Sequence, residues 1–145
     1  MSDEIKASVS ITKEQAEIEF ENWKEACDID IEESELTDEQ LNLVNSAKRR
    51  FVKAMIAGRL TVDGEKILYT ISSKSPEGFA NKEIVIKNPG AKLRFAMDGF
   101  KDNQQAEKEI AGMSALTGQD VGFFRKLSLP DFNLIEAIML LFMLS

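Results

Sequence analysis

The sequence predicts an α+β fold: a small three-stranded antiparallel sheet packed by several helices, with an acidic N-terminal helical arm. Capping signals followed by apolar residues at helical spacing recur along the chain. Two short apolar runs flank an Asp-Gly pair, which is the pattern of a β-hairpin. A three-stranded sheet with one apolar face needs helices against it. The 145 residues suffice for a domain with its own core.

Charge divides the chain into two predicted parts, an acidic arm over residues 1–35 and an α+β domain over residues 36–145. Residues 1–39 hold 14 acidic and 3 basic side chains, whereas residues 40–145 hold 11 acidic and 15 basic ones. We expect the arm to be solvated, to pack back on the basic part, or to meet a basic partner.

The arm is predicted to contain one short amphipathic helix. Residues 1–11 are expected to be disordered or weakly extended. Thr12 and Gln15 form a capping box, so a helix should run from there to about Cys27. Trp23 lies on its narrow apolar stripe and is predicted to be core rather than a docking anchor.

A second capping box, at Thr37 and Gln40, predicts a helix that Gly58 ends in the left-handed conformation. One side of this helix is apolar and the other is basic. Such a cluster is more typical of a solvated face than of nucleic-acid binding, and the whole chain is acidic. The basic residues are Lys48, Arg49, Arg50 and Lys53.

Three strands are predicted next. Leu60–Val62 and Lys66–Ile71 should pair through a primed turn at Asp63-Gly64. The third strand covers Glu83–Lys87. Alternation of apolar residues in the second strand predicts one buried face.

From residue 91 onward the chain is predicted to be helical. Ala91–Asp98 should form a short helix, and Asp102 should cap a longer one. Thr117–Asp120 is predicted to be a capping box for another short helix. Ser128 should cap the terminal helix, because its side chain can accept a hydrogen bond from the backbone N–H of Asp131, three residues later.

The terminal helix is apolar on nearly every side, so its own domain or another protein must cover it. It is shorter than the roughly 20 apolar residues that span a bilayer, and we expect no membrane partner. We predict that part of it forms an adhesive, partner-binding surface. The candidate residues are Ile135, Ile138, Met139, Leu141, Phe142 and Met143.

The sequence contains no recognisable catalytic, cofactor-binding or metal-binding pattern. It has no histidine, which is the commonest general base and metal ligand. A single cysteine, Cys27, excludes an internal disulfide, and no glycine-rich phosphate loop occurs. The acidic N-terminus is unlike the basic start of a signal peptide. We therefore expect a cytoplasmic protein that is not an enzyme and uses no cofactor or metal.

Several sequence blocks follow one another in a characteristic order: a hairpin motif, a strand before a Pro-Gly turn, a leucine–threonine helix pair, and an aspartate before an apolar end. The blocks are Ala57–Gly64, Glu83–Arg94, Ala96–Asp98, Met113–Gly118 and Phe124–Phe132. In these blocks the chain resembles the tail assembly chaperones of Mu-like and P2-like contractile-tailed bacteriophages. The likeness begins near Lys48 and leaves residues 1–36 outside it.

The resemblance implies a chaperone that binds the apolar helices of the tape-measure protein and keeps them soluble until tail-tube subunits polymerise around them. The implied partners are the tape-measure protein and the tail-tube protein, without nucleic acid or membrane, and a homo-oligomer is left open. It also implies a place in the cytoplasm of the bacterial host, absence from the mature virion, and a longer product made by ribosomal frameshifting. Exposed apolar surface with flexible methionines suits such a role.

Two other functions stay open on the sequence. One is a structural subunit of a phage tail or contractile injection machine, which would polymerise or form a ring through the same apolar helix. The other is an acidic inhibitor that uses residues 1–39 as a nucleic-acid mimic. Such an inhibitor would need the arm for activity and would bind less tightly at high salt.

Overall fold

The computed structural model describes residues 11–76 and 78–145, so the prediction for residues 1–10 lies outside the described residues. The described residues form an α+β fold with six α-helices and one antiparallel sheet, as predicted. The helices are α1 (Lys13–Ala26), α2 (Asp38–Ile56), α3 (Lys92–Met97), α4 (Gln105–Thr117), α5 (Val121–Arg125) and α6 (Leu129–Leu144). The strands are β1 (Leu60–Asp63), β2 (Lys66–Thr70) and β3 (Glu83–Ile86).

The first two helices begin and end as their local sequences predict. The Thr12 hydroxyl accepts a hydrogen bond from the Gln15 N–H at 3.1 Å, and the Gln15 side chain closes the capping box. Thr37 and Gln40 repeat this arrangement at the start of α2. Gly58 follows α2 with a φ of 76°, which confirms the left-handed end.

The capping box predicted at Thr117–Asp120 is wrong. Thr117 is the last residue of α4, and Gly118 ends that helix with a φ of 72°. Asp120 caps α5 alone, its carboxylate accepting from the Phe123 N–H at 2.9 Å. The segment therefore ends one helix and begins another. Gly118, in the left-handed conformation, stops α4, and Asp120 starts α5 two residues later.

The sheet has the strand order β1-β2-β3, and each neighbouring pair is antiparallel. Asp63 pairs with Lys66, so the two turn residues are Gly64 and Glu65, one position later than predicted. Gly64 has a φ of 62°, and glycine with positive φ at the first turn position is typical of a primed turn.

One face of the sheet is buried beneath the helices. Leu60 pairs with Tyr69, and Tyr69 pairs with Ile84, so the three side chains form a row across the sheet. All three are buried. Helices α1 and α2 contact β1, and α4 contacts β3, which places the core between the sheet and these helices.

Helix α1 belongs to this core, although its sequence lies within the predicted arm. Phe20 and Trp23 are each 1% exposed, and both rings pack against Phe51 of α2 at centroid distances of 4.8 and 5.2 Å. The prediction that Trp23 is core is confirmed. Because α1 and residues 36–145 share one hydrophobic cluster, the boundary predicted at residue 35 does not separate two cores.

The acidic face of α1 packs back on the basic part of the chain. The Lys48 ammonium lies 3.6 Å from a Glu17 carboxylate oxygen and 3.7 Å from one of Glu21. These side chains are partly exposed, so the two ion pairs contribute little to stability. They nevertheless match one of the three outcomes expected for the acidic arm, namely that it packs back on the basic part of the chain.

Candidate functional site

The terminal helix α6 forms the centre of the fold. Ile135, Ile138, Met139 and Leu141 are each at most 1% exposed, because α2 and α4 pack along the helix. The prediction that these four side chains present a free adhesive surface is therefore wrong. A helix without a polar face gives no sequence signal for which side its neighbours cover.

The other two predicted residues, Phe142 and Met143, line an open groove between the end of α6 and helix α3. We call it the α3–α6 groove. Its volume is about 700 Å³. Phe142 is half-buried and Met143 is 43% exposed. Phe95 of α3 also lines the groove and is 75% exposed, the largest exposure among the large apolar side chains described.

The position of Phe95 follows from the spacing of apolar residues in α3. Leu93 and Met97 are four residues apart and both are buried, so they share the inner face of the helix. Phe95 lies between them in sequence and therefore projects from the opposite side. Gly90, with a φ of 58°, and Gly99, with a φ of 85°, flank this short helix.

A close approach of three helices supports the bottom of the groove. Gly112 of α4 faces Met139 of α6 and Met97 of α3. A Cβ atom built at residue 112 would lie 2.5 Å from the Met139 sulfur and 2.9 Å from the Met97 sulfur. A side chain at this position would force Met139 and Met97 to shift, so the glycine lets both methionines lie directly against α4.

The opposite end of α6 is anchored by a buried carboxylate, Asp131, which was not among the predicted site residues. Asp131 is fully buried and accepts hydrogen bonds from four groups on three segments. The donors are the Tyr69 hydroxyl, the Ser72 N–H (3.0 Å), the Ser75 hydroxyl (2.7 Å) and the Ser128 hydroxyl (2.6 Å). This carboxylate ties the start of α6 to β2 and to the loop that follows it.

These hydrogen bonds determine the charge state of the anchor. Burial alone would raise the pKa of the Asp131 carboxyl, but the bonds from Ser128, Tyr69, Ser75 and Ser72 hold its pKa below the usual value. Burial and the bond to Asp131 raise the pKa of the Tyr69 hydroxyl. The carboxylate is thus charged, fully paired and sealed from solvent, which is the state of a structural anchor.

Two other features bear on chemistry. Burial, with Glu65 nearby, raises the pKa of the Cys27 thiol to about 12, so a reactive thiolate does not form near neutral pH. Across the described ranges, 11–76 and 78–145, no three Cys, Asp or Glu side chains are grouped closely enough to hold a metal ion. None of the helices in this same part of the chain has the length and apolar character to cross a bilayer.

The α3–α6 groove offers apolar contact area rather than reactive groups. Phe95 and Met143 can each lose exposed apolar surface when a partner binds, at about 25 cal/mol per Å² removed from water. Arg94, Asp98 and Lys108 add charged groups to its lining.

No family model, curated protein or solved structure matches the chain.

Proposed function

We propose that the protein is a tail assembly chaperone of a contractile-tailed bacteriophage, which binds apolar helices of the tape-measure protein in the α3–α6 groove. The observation that carries this proposal is the exposed Phe95 beside the exposed Met143 in an open groove. Neighbouring exposed apolar side chains that line a concave surface are typical of protein interaction sites.

The composition of the groove suits a partner whose sequence varies along its length. Met143 is unbranched, flexible and 43% exposed, so it adapts to differently shaped apolar side chains. The charged lining groups Arg94, Asp98 and Lys108 resemble the polar rim of a protein interface. A helix with an apolar stripe and a polar back would therefore fit the groove without a strict sequence requirement.

Two of the five sequence blocks that carry the family resemblance contribute residues to the groove. Glu83–Arg94 and Ala96–Asp98 contain most of the residues that α3 and the preceding turn contribute to it. Met113–Gly118 lies at the end of α4, next to the glycine contact with α3. Phe124–Phe132 leads into α6, whose far end forms the other wall.

The proposal places the protein in the cytoplasm of the bacterial host and outside the mature virion. The tail-tube protein is its second partner in this scheme, because tube subunits displace the chaperone as they polymerise. The alternative of an inhibitor with a free acidic arm has less support, since the acidic helix α1 packs into the core. A structural subunit differs from a chaperone in polymerising on its own, which light scattering measures.

Co-expression tests the proposal. The tape-measure protein encoded in the same genome is produced with and without this chain, and its soluble fraction is measured after centrifugation. The wild-type chain should keep it soluble, and Phe95→Ser should not. Leu129→Ser is the matched control, because Leu129 is 69% exposed at the start of α6, about 20 Å along the helix from Met143. An insoluble tape-measure protein in the presence of the wild-type chain would refute the proposal.

A further inference from the structure

A second groove lies between α1 and α2, and we call it the α1–α2 groove. Its volume is about 450 Å³. Val52 is buried, Ile56 is 43% exposed, and both line the groove, so it has an apolar floor that is open to solvent. It shares no lining residue with the α3–α6 groove, so the two surfaces can be occupied independently.

The lining of this groove carries an excess of positive charge. Lys48 is paired with Glu17 and Glu21 of α1. Lys13, Arg49 and Lys53 also line the groove. None of these three has a carboxylate within salt-bridge distance among the residues that the structure describes.

We propose that the α1–α2 groove binds an acidic amphipathic segment of another protein. Aliphatic side chains of that segment cover Val52 and Ile56, and its carboxylates pair with Lys13, Arg49 and Lys53. The argument is charge complementarity: three cations without described partners surround an apolar floor, on a chain whose net charge is −7. Because the floor is small, the segment needs only one or two aliphatic anchors.

The surroundings of the groove favour an acidic peptide over a nucleic acid. A nucleic-acid backbone gains affinity by pairing many phosphates with cations along an extended surface. Here the cations border an apolar floor, Glu17 itself lines the groove, and Glu21 of α1 lies within 3.7 Å of the Lys48 ammonium. A phosphate backbone would meet those carboxylates, whereas a short segment that places its own carboxylates only at the three cations would not.

A peptide selection on the full chain tests this proposal. A random 16-residue library is selected for binding, and fluorescence anisotropy measures the affinity of the enriched peptides. We expect peptides that combine aliphatic pairs with carboxylates, and a loss of about tenfold in affinity for the double variant R49E/K53E. Arg49 and Lys53 are exposed, so this variant should keep its fold, which circular dichroism checks.

The double variant K66E/K82E is the matched control, since both lysines are exposed and lie outside the groove. It changes the net charge equally and should bind the peptides as the wild type does. Enrichment of basic or uncharged peptides, or equal losses in both double variants, would overturn the proposal. Peptides whose affinity depends on Phe95 instead of Arg49 and Lys53 would overturn it as well.

Two other occupants of the groove are distinguished in the same experiments. If the wild-type chain dimerises in sedimentation velocity and R49E/K53E does not, a second copy fills the groove and the proposal is wrong. If D3K/E4K raises peptide affinity about tenfold, the acidic N-terminus of the chain competes for the groove, and the proposal is again wrong. A monomeric wild type and an unchanged affinity in D3K/E4K support a foreign acidic segment.

Discussion

Phe142 packs edge-on against Trp23, with ring centroids 5.6 Å apart and ring planes inclined at 79°. Trp23 also packs against Phe51, so the aromatic cluster joins α1, α2 and α6. Phe142 therefore has two roles. One part of its ring completes the core, and the side chain also lines the α3–α6 groove. The contact fixes the end of α6 in place, so one wall of the groove is formed before a partner arrives.

Deletion of residues 138–145 should unfold the protein. Ile138, Met139 and Leu141 are at most 1% exposed, and truncation of one such side chain already costs about 2 to 5 kcal/mol. Their combined loss matches or exceeds the 5 to 15 kcal/mol that typically stabilises a domain. We expect no cooperative thermal transition by circular dichroism. Deletion of residues 144–145 is the control and should keep the transition. A folded 1–137 fragment would show that α6 is not the centre of the core.

The Asp131→Asn substitution should lower the free energy of unfolding by about 2 to 3 kcal/mol, because an amide cannot accept from all four donors at this site. Urea denaturation measures the loss. Asp30→Asn removes an equal charge from an exposed position and should change stability by less than about 0.5 kcal/mol. Equal effects of the two substitutions would contradict the anchoring role of Asp131.

The free energy of unfolding should also depend on the protonation state of Glu136, a carboxyl of α6. Burial and the neighbouring carboxyl of Glu109 raise the pKa of Glu136 from 4.5 to about 7, although Arg50 opposes the shift. The folded protein therefore holds this proton more tightly than the unfolded chain does. The stabilisation that the protonated Glu136 carboxyl contributes is complete below about pH 4.5 and is lost as the pH rises through about 7.

Urea denaturation between about pH 5 and pH 8 tests this expectation. Glu136→Gln should flatten the profile and raise stability at the alkaline end, because this half-buried position no longer has to hold a charge. Glu107→Gln, at an exposed position on α4, is the control and should leave the slope unchanged. A profile for Glu136→Gln that falls as steeply as that of the wild type would rule out Glu136 as its source.

Local chemistry made most of the fold predictable. The capping boxes at Thr12 and Thr37, the cap at Ser128 and the glycine stop at residue 58 each depend on a few neighbouring residues, and the structure confirms all four. The hairpin was predicted for the same reason. Its turn differs by one residue because pairing of Asp63 with Lys66 moves the turn onward.

Features that depend on distant contacts were not predictable. Asp131 bonds to Ser72 and Ser75, which lie 59 and 56 residues earlier in the chain, and no local pattern joins them. The exposed side of α6 is likewise set by how α2 and α4 pack. Phe95 is different, since the spacing of the buried Leu93 and Met97 is a local signal that points to its exposure.

The most direct test of the central claim is to titrate the chain with a synthetic peptide from an apolar helix of the tape-measure protein. Isothermal titration calorimetry measures the affinity. Phe95→Ser should weaken binding about tenfold or more, because a phenylalanine side chain contributes about 1.5 to 3 kcal/mol when it is buried. Leu129→Ser should bind as the wild type does. Wild-type affinity in Phe95→Ser, or equal losses in the two variants, would contradict the claim that the α3–α6 groove is the binding surface.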